Sequence, residues 1–342
     1  MARASPLLLY VLTRAFLAIP MLVILLTAVF VILRLIPGDP IQALFGGRGN
    51  PAVVAAARAQ LGLDRPLIVQ YFEYLGRVFT GNFGQSLTLY PGQPVMHWIL
   101  LVFPATLELA LYSMIVAAVV GVLTGVVAGR YRGTPIDVAL RMYGIVIWVI
   151  PIFWLALMLQ LTFAIGLRWL PPNGRLSPLV PMPTRVTGLY TVDSLLMGRI
   201  DIFIDAVRHL ILPSLTLGLV LSGFFTRIVR VNMMQTLQSD FVEAARARGI
   251  QERSVIYRHA FKNALIPVVT VIGLQFAALL GGAILTETTF SLNGVGSLLV
   301  RAIIAGDYTM VQGVIVFYAI LVIGVSLAVD IANAFIDPRI KY

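Results

Sequence analysis

The chain contains no cysteine and only three histidines among its 342 residues. Without cysteine, disulfides and thiolate metal sites are excluded. The histidines (His97, His209 and His259) are widely separated, which argues against a histidine metal site. Neither lysine follows a glycine, so the Walker A pattern GxxxxGK[ST] is absent and the chain cannot bind ATP by a P-loop. The patterns GxSxG and HExxH are absent too, which disfavours a membrane-embedded enzyme.

Charge is also scarce, since charged residues make up 12% of the chain and hydrophobic residues 59%. A soluble domain carries about 25% charged residues, so the composition indicates an integral membrane protein. The net charge of +10 would suit nucleic acid, but basic loops are expected in a membrane protein for topological reasons. We therefore expect contact with membrane lipid and no nucleic-acid partner.

Six uncharged runs of 17 to 26 residues recur along the chain. A transmembrane helix needs about 20 residues, so the pattern predicts an all-α integral membrane protein with six transmembrane helices. The runs are Ala15–Leu33, Leu109–Gly129, Met142–Leu167, Leu210–Thr226, Ala264–Thr286 and Tyr308–Val329. Prolines within or beside these runs are interpreted as kinks, with a gating role as the alternative.

The distribution of basic residues predicts the orientation. With the N-terminus inside, the inner segments carry 14 basic residues in 69 positions and the outer segments 11 in 131. Basic residues concentrate on the cytoplasmic side, so both termini should be cytoplasmic in the inner (plasma) membrane. The chain then divides into residues 1–37 (N-terminus and first span), 38–100 (an outer segment) and 101–342 (the remaining spans, with a polar loop over 239–267).

The outer segment 38–100 has helix signals of its own. Asn50 and Pro51 open a helical stretch that Gly62 ends, and Pro66 opens a second stretch that stops near Gly81. We predict a small helical extracytoplasmic insertion between transmembrane helices 1 and 2. It would serve either to dock a partner or to pack over the mouth of the helix bundle.

The longest polar interruption in the second half of the chain is Ser239–Pro267. Asp240 and Glu243 have the spacing of a capping box, and Gly249 suits the left-handed residue that ends a helix. The pattern predicts a short helix over Phe241–Arg248 on the cytoplasmic side. From the residues alone, this is either an ordinary loop helix or a docking surface.

The sequence around this helix resembles a family. Glu243-Ala244-Ala245 followed by Gly249 resembles the EAA loop of binding-protein-dependent ABC importers. The likeness extends over nearly the whole chain to the B-type subunits of the dipeptide/oligopeptide/nickel permeases. It rests on RLIPGDP (34–40), QLGLDRPLIVQYFEYL (60–75), GNFGQSL (81–87), PATLELAL (104–111), RHLILP (208–213), RHAFKNALIPVVTVIGLQ (258–275), ETTFSLNGVGSLLVRAI (287–303) and DPRIKY (337–342).

The resemblance implies a subunit that forms half of a translocation pathway together with a C-type permease. Two ABC ATPase subunits would bind below it and an extracytoplasmic solute-binding protein above it, with ATP and Mg held by the ATPases and no cofactor in this chain. The polar helix would be a coupling helix between transmembrane helices 4 and 5. The residues implied in ATPase contact are Asp240, Phe241, Glu243, Ala244, Ala245, Arg246, Arg248 and Gly249.

Two positions depart from the family pattern. Lys262 stands where the general pattern has a proline, which appears only later as Pro267, so the end of the coupling segment is not defined by the motif. Gln235 stands where relatives often have an acid.

Polar groups within or directly beside the spans are further candidates. Gln160, Gln275 and Glu287 are assigned to the translocation path, with interhelical hydrogen bonding for the glutamines and a structural role for the acid as alternatives. Gly121, Gly125 and Gly129 recur every four residues, which predicts close helix packing.

The expected cargo is a dipeptide or oligopeptide. Nickel chelate, glutathione or an oligosaccharide would fit the same family. A self-contained secondary transporter or channel is the alternative from a different class, although the predicted spans have no carboxylate near their midpoints.

Overall fold

A computed structural model describes residues 6–35, 51–60 and 62–336. The predictions made for residues 38–50, including Asn50, and for residues 337–342 lie outside these ranges. In chain order the α-helices are α1 (Pro6–Leu35), α2 (Pro51–Gln60), α3 (Leu67–Phe79), α4 (Val95–Arg130), α5 (Pro135–Val149), α6 (Ile152–Leu159), α7 (Tyr190–Leu196), α8 (Ile200–Leu237), α9 (Asp240–Ala247), α10 (Glu252–Ser254), α11 (Phe261–Gly282), α12 (Ile284–Thr289), α13 (Val295–Ile304) and α14 (Tyr308–Ile336). Segments Gln160–Gly166 and Val255–Ala260 are π-helical.

Five continuous helical stretches of the described ranges are long and apolar enough to cross a membrane, and a sixth is a bent pair. The all-α membrane fold expected from the sequence is therefore confirmed. The helices α4 and α8 have 36 and 38 residues. At 1.5 Å per residue they are about 54 and 57 Å long, whereas the hydrocarbon core is about 30 Å thick. Both helices therefore extend well beyond the bilayer core.

The third predicted span is not one helix. The run Met142–Leu167 is divided between α5 and the helical stretch Ile152–Gly166, and the chain bends by 100° between them. Ile150 is extended (ψ 128°) and Pro151 follows it. Proline has no backbone N–H and disfavours helical geometry in the residue before it, so the helix ends there. The interpretation of Pro151 as a simple kink is wrong, because the chain turns through more than a right angle.

The longest packed interface is formed by α4 and α8. A Cβ atom added to any of three glycines of α4 would lie within 2.4 to 2.6 Å of a Cβ atom of α8. The glycine–partner pairs are Gly121 with Phe225, Gly125 with Val229, and Gly129 with Met233. Glycines spaced by four residues thus let the two helix backbones approach closely, and the three partners are fully buried.

Both helices predicted for the outer segment are present, as α2 and α3. Gly62 and Gly81, the predicted stops, adopt left-handed φ values of 67° and 74°. The helix α3 packs on α1, where the hydroxyl groups of Thr27 and Tyr71 lie 2.6 Å apart. That these helices form an extracytoplasmic insertion stays a prediction.

A buried carboxylate attaches the next loop to α14. One oxygen of Asp307 accepts hydrogen bonds from the backbone N–H groups of Leu87, Thr88 and Leu89 at 3.0 to 3.1 Å, and from the Ser86 hydroxyl. Its other oxygen accepts from the N–H of Met310 at 3.0 Å. This single side chain therefore fixes the loop before α4 to the start of the last span.

Candidate functional site

The short polar helix α9 follows the end of α8 after a gap of two residues. It runs from Asp240 to Ala247, one residue earlier than predicted, and Ser239 takes the N-cap position. The predicted capping box is wrong, because no side chain caps this helix. The Ser239 hydroxyl donates instead to the Thr236 carbonyl at 2.5 Å. Asp240 and Glu243 remain in the first turn, where negative charge favours the helix dipole.

One face of α9 is buried. Val242 is fully buried and Ala245 is 6% exposed. Both belong to the main apolar core, together with Val255 and Ile256 of the π-helical segment that leads into α11. The helix is thus mounted on the beginning of the next span, because displacing it would expose these apolar side chains to water.

The turn after α9 has the geometry predicted from the sequence. Gly249 adopts a left-handed φ of 75°, and its N–H donates to the Arg246 carbonyl at 2.9 Å. Ile250 N–H donates to the Ala245 carbonyl at 3.3 Å, so the last carbonyls of the helix are satisfied. A Cβ atom on Gly249 would meet nothing within 4 Å, so only its backbone conformation requires glycine there.

Arg246 bridges this turn. Its guanidinium donates to both carboxylate oxygens of Glu252, at 3.1 and 2.9 Å. Sequence reasoning assigned Arg246 to a partner contact and missed this pair, although opposite charges flanking a tight glycine turn are a signal for it. The arginine is therefore already engaged within the chain, whereas Arg248 lies exposed beyond the helix.

The opposite face of α9 is open to solvent. Phe241 is 44% exposed, and four further side chains of this segment are exposed as well. They are Glu243, Ala244, Ala247 and Arg248. The two small alanines leave room for close approach of a partner backbone, and the aromatic ring provides an apolar contact. This face, with a negative N-terminal end and a positive C-terminal end, has the chemistry of a docking surface.

The two glutamines assigned to the path lie in different surroundings. Gln160 donates to the Pro172 carbonyl at 2.7 Å and so ties α6 to the loop that follows it. Gln275 lines a cavity of about 430 Å³ between the α5–α6 bend, α8 and α11. The other lining side chains are apolar or aromatic, including Trp148 and Pro151. The structure therefore does not bring the two glutamines together.

Glu287 is fully buried. One carboxylate oxygen accepts from the Thr106 hydroxyl at 2.6 Å and the other from the Ser297 N–H, in the first turn of α13, at 2.9 Å. Burial raises the pKa of Glu287, and these hydrogen bonds oppose the increase. A Cβ on Gly294 would lie 2.4 Å from this carboxyl carbon, so the glycine makes room for it. Through these contacts, Glu287 connects α12 with α13 and α4.

Glu108 directly precedes the second uncharged run, and its partners lie far away in the sequence. Its carboxylate is 2% exposed and accepts from Arg175 at 2.7 Å and from the Thr191 N–H and hydroxyl at 2.8 and 2.6 Å. Arg175 also lies 3.6 Å from the centre of the Tyr190 ring. Nearby, Asp193 accepts from the N–H groups of the preceding turn, including Gly188 at 2.8 Å. Burial would raise the pKa of Asp193, but the hydrogen bonds outweigh burial and lower it.

The side chains in the part of the chain that the structure describes do not form a metal site. Among residues 6–35, 51–60 and 62–336, no group of three or more His, Asp or Glu side chains is placed to hold a metal ion.

Comparison with known proteins gives consistent matches along the whole chain. The family model described as binding-protein-dependent transport system inner membrane component matches residues 121–342, and the model of its N-terminal part matches residues 7–110. A di/tripeptide transport system permease protein of Pseudomonas aeruginosa is 44% identical over 92% of this chain and 93% of its own length.

Two further relatives match this chain over a similar share of its length. A dipeptide transport system permease protein of Alkalihalophilus pseudofirmus is 40% identical over 97% of this chain and 99% of its own. A probable D,D-dipeptide transport system permease protein of Escherichia coli is 40% identical over 91% of each chain. With spans and matches in agreement, the chain belongs to the family of binding-protein-dependent transport system inner membrane components, the multi-pass permeases of ABC importers, which are not themselves the ATPases.

Proposed function

We propose that this chain is the permease subunit of an ATP-driven importer of dipeptides and oligopeptides, and that α9 is its coupling helix. The observation that carries the assignment is the two-sided character of α9. Its Val242 and Ala245 are buried in the core, whereas Phe241 and Ala244 face solvent. A helix mounted in this way can receive a push on one face and transmit it through the other.

The route of transmission follows from the contacts of α9. Val242 and Ala245 pack in one apolar cluster with Val255 and Ile256, which lead directly into α11. Through Ser239, α9 is joined to the end of α8. A movement of the partner ATPase would therefore reach two spans at once, because a close-packed interface transmits displacement rather than absorbing it.

Members of the family work together with a binding protein and an ATPase. We propose the following subunit composition for the complete transporter. A C-type permease would complete the pathway, two ATPases would bind at the α9 end, and a solute-binding protein would dock extracytoplasmically. Both termini would be cytoplasmic, an orientation that rests on the density of basic residues at the α9 end. ATP and Mg would be bound by the ATPases.

The segments have corresponding roles in this proposal. Residues 38–100 would form the extracytoplasmic insertion and residues 101–342 the permease core. The cavity beside Gln275 is proposed as part of the solute path, because it lies where α5 and α6 bend apart and it combines apolar walls with one amide. We propose that Gln160 and Glu287 support the solute path indirectly, by fixing the segments that form its walls.

Peptide cargo is supported by the relatives, whose names describe transport of dipeptides or tripeptides. Nickel chelate, glutathione or an oligosaccharide are the alternatives within the family. Competition of each class of compound against uptake of a labelled dipeptide by the reconstituted importer separates them. Uptake that is inhibited by unlabelled dipeptides and not by the other classes supports the proposal.

The coupling role is tested with a charge reversal on the exposed face. Glu243→Arg should reduce ATP-dependent peptide uptake by about tenfold or more, because reversing a charge at an interface costs several kcal/mol. The complex should still assemble, since this side chain is exposed. Arg132→Glu, a charge reversal at an exposed residue between α4 and α5, is the control and should transport normally. Normal uptake by Glu243→Arg would refute the assignment, as would uptake by the chain alone.

A further inference from the structure

A second cavity, of about 450 Å³, lies between α5 and α8. The two helices cross at Gly144 and Gly223, where a Cβ on Gly223 would lie 2.5 Å from the Gly144 carbonyl oxygen. On either side of such a close crossing, the side chains must diverge, and they leave a groove. One wall is formed by the face of α5 from Leu140 to Val149, and the other by the face of α8 from Gly223 to Val231.

One end of this groove is basic. Arg230 donates to Asp137 from two of its guanidinium nitrogens, at 2.6 and 2.9 Å, and Arg141 lies 3.6 Å from the same carboxylate. Arg227 is three residues before Arg230 on α8 and lines the same groove. Within the described residues Arg227 forms no ion pair. Two guanidinium groups therefore share the Asp137 carboxylate and a third lines the same groove, which keeps an excess of positive charge.

The other end is apolar. Trp148 and Phe224 stack across the groove with ring centroids 5.6 Å apart. Ile145 and Val149 beside them are 59% and 71% exposed. Apolar side chains so exposed in a membrane protein face either lipid or another apolar chain.

The basic end of the groove lies where the headgroup of a membrane phospholipid would lie. Arg141 directly precedes one uncharged run and Arg227 directly follows another, so both mark a boundary of the bilayer core. From Arg141 to Val149 the groove is about 12 Å long, at 1.5 Å per residue. A headgroup phosphate at the basic end would thus leave the first part of an acyl chain along Trp148.

We infer that the groove between α5 and α8 binds an anionic phospholipid, with the phosphate at Arg141 and Arg227 and the acyl chain against Trp148. Guanidinium groups bind phosphate with two parallel hydrogen bonds, and basic pockets between transmembrane helices bind anionic headgroups. The uncompensated charge selects phosphatidylglycerol or cardiolipin over phosphatidylcholine, whose own ammonium group neutralises its phosphate.

The test measures the lipid that stays bound to the intact transporter complex during detergent washing. Native mass spectrometry would count phosphatidylglycerol and phosphatidylcholine after equilibration with equal amounts of both. The test variant carries Arg141→Gln with Arg227→Gln. Arg230 is left in place, because its removal would leave the buried carboxylate of Asp137 without its hydrogen-bonded partner. The control carries Arg132→Gln with Arg253→Gln, which removes the same charge from exposed positions outside the groove.

The wild-type complex and the control should retain phosphatidylglycerol preferentially, and the test variant should bind it about tenfold more weakly. Retention of phosphatidylcholine should be equal in all three. Equal phosphatidylglycerol binding by the test and control variants would overturn the inference. It would also be overturned if inorganic phosphate displaced the lipid, since the groove would then be an anion site.

Discussion

Arg246 and Glu252 form a two-point ion pair across the left-handed turn at Gly249, with nitrogen–oxygen distances of 3.1 and 2.9 Å. The pair links the last turn of α9 to the first residue of α10. Both side chains are about half exposed (41% and 54%), so water screens the attraction. The attachment of α9 must therefore depend mainly on the apolar contacts of its buried face.

This division of roles predicts different effects of two substitutions. Val242→Ala should destabilise the docking of α9 by about 1.5 kcal/mol, because it removes two buried methyl groups. Arg246→Gln should cost less than about 1 kcal/mol, as expected for an exposed pair. Hydrogen exchange of the α9 amides in the reconstituted complex would measure both. Faster exchange in Arg246→Gln than in Val242→Ala would show that the ion pair is the main attachment.

Gly249 is required for its backbone conformation and not for space. An added Cβ atom would meet nothing within 4 Å, but a β-branched residue at φ 75° is strained by about 1 to 2 kcal/mol. We expect Gly249→Val to change the presentation of α9 and to lower the ATP-dependent uptake, with the complex still assembled. Gly249→Asn should retain most of the uptake, because asparagine tolerates the left-handed region. Equal loss in both variants would contradict this explanation.

The buried pair of Glu108 and Arg175 should matter far more to stability than an exposed pair. Glu108→Gln leaves the guanidinium of Arg175 uncompensated in a largely buried site, at a cost of about 3 to 5 kcal/mol. Asp201→Asn, which removes the partner of Arg199 in an exposed pair, should leave the melting temperature nearly unchanged. Thermal unfolding of the two variants in the same detergent provides the comparison. Equal melting temperatures would contradict the assigned role of Glu108.

Asp307 gives the loop before α4 a defined pH dependence. Burial would raise the pKa of Asp307, but the hydrogen bonds from Ser86 and the backbone outweigh it and hold the pKa below the usual 3.8. A depressed pKa means that the stabilisation is complete above the unfolded value and is lost as pH falls through the folded value.

Protection of the Leu87 and Leu89 amides should therefore be constant from about pH 5 to pH 8, once intrinsic exchange is corrected. Asp307→Asn should expose these amides across the same range, because the neutral amide is a weaker acceptor. A loss of protection in the wild-type chain between pH 8 and pH 5 would contradict a depressed pKa.

Local features of the fold were predictable because their causes are local. Gly62, Gly81 and Gly249 adopt the left-handed conformations expected of glycines that end helices. The run lengths indicated the spans, because apolar length is set by bilayer thickness. The cap of α9 was misassigned by one residue, since Ser239 and Asp240 are both good caps and only the backbone distinguishes them.

Features that depend on distant parts of the chain were not predictable. Asp137 and Arg230 are 93 residues apart and Glu108 and Arg175 are 67 apart, and one sequence gives no signal for such pairs. The position of the break at Pro151 was visible, but its angle of 100° depends on packing against α8 and α12.

The central claim is that the exposed face of α9 contacts the ATPase, and the absence of native cysteine allows a direct test. Single cysteines would be introduced as Ala244→Cys on the exposed face and Ala245→Cys on the buried face, and the assembled transporter treated with a short thiol cross-linker. The partner ATPase would carry surface cysteines. We expect the cysteine at position 244 to be cross-linked to it and the cysteine at position 245 not to be. No cross-link from position 244 in a complex that transports peptide would contradict it.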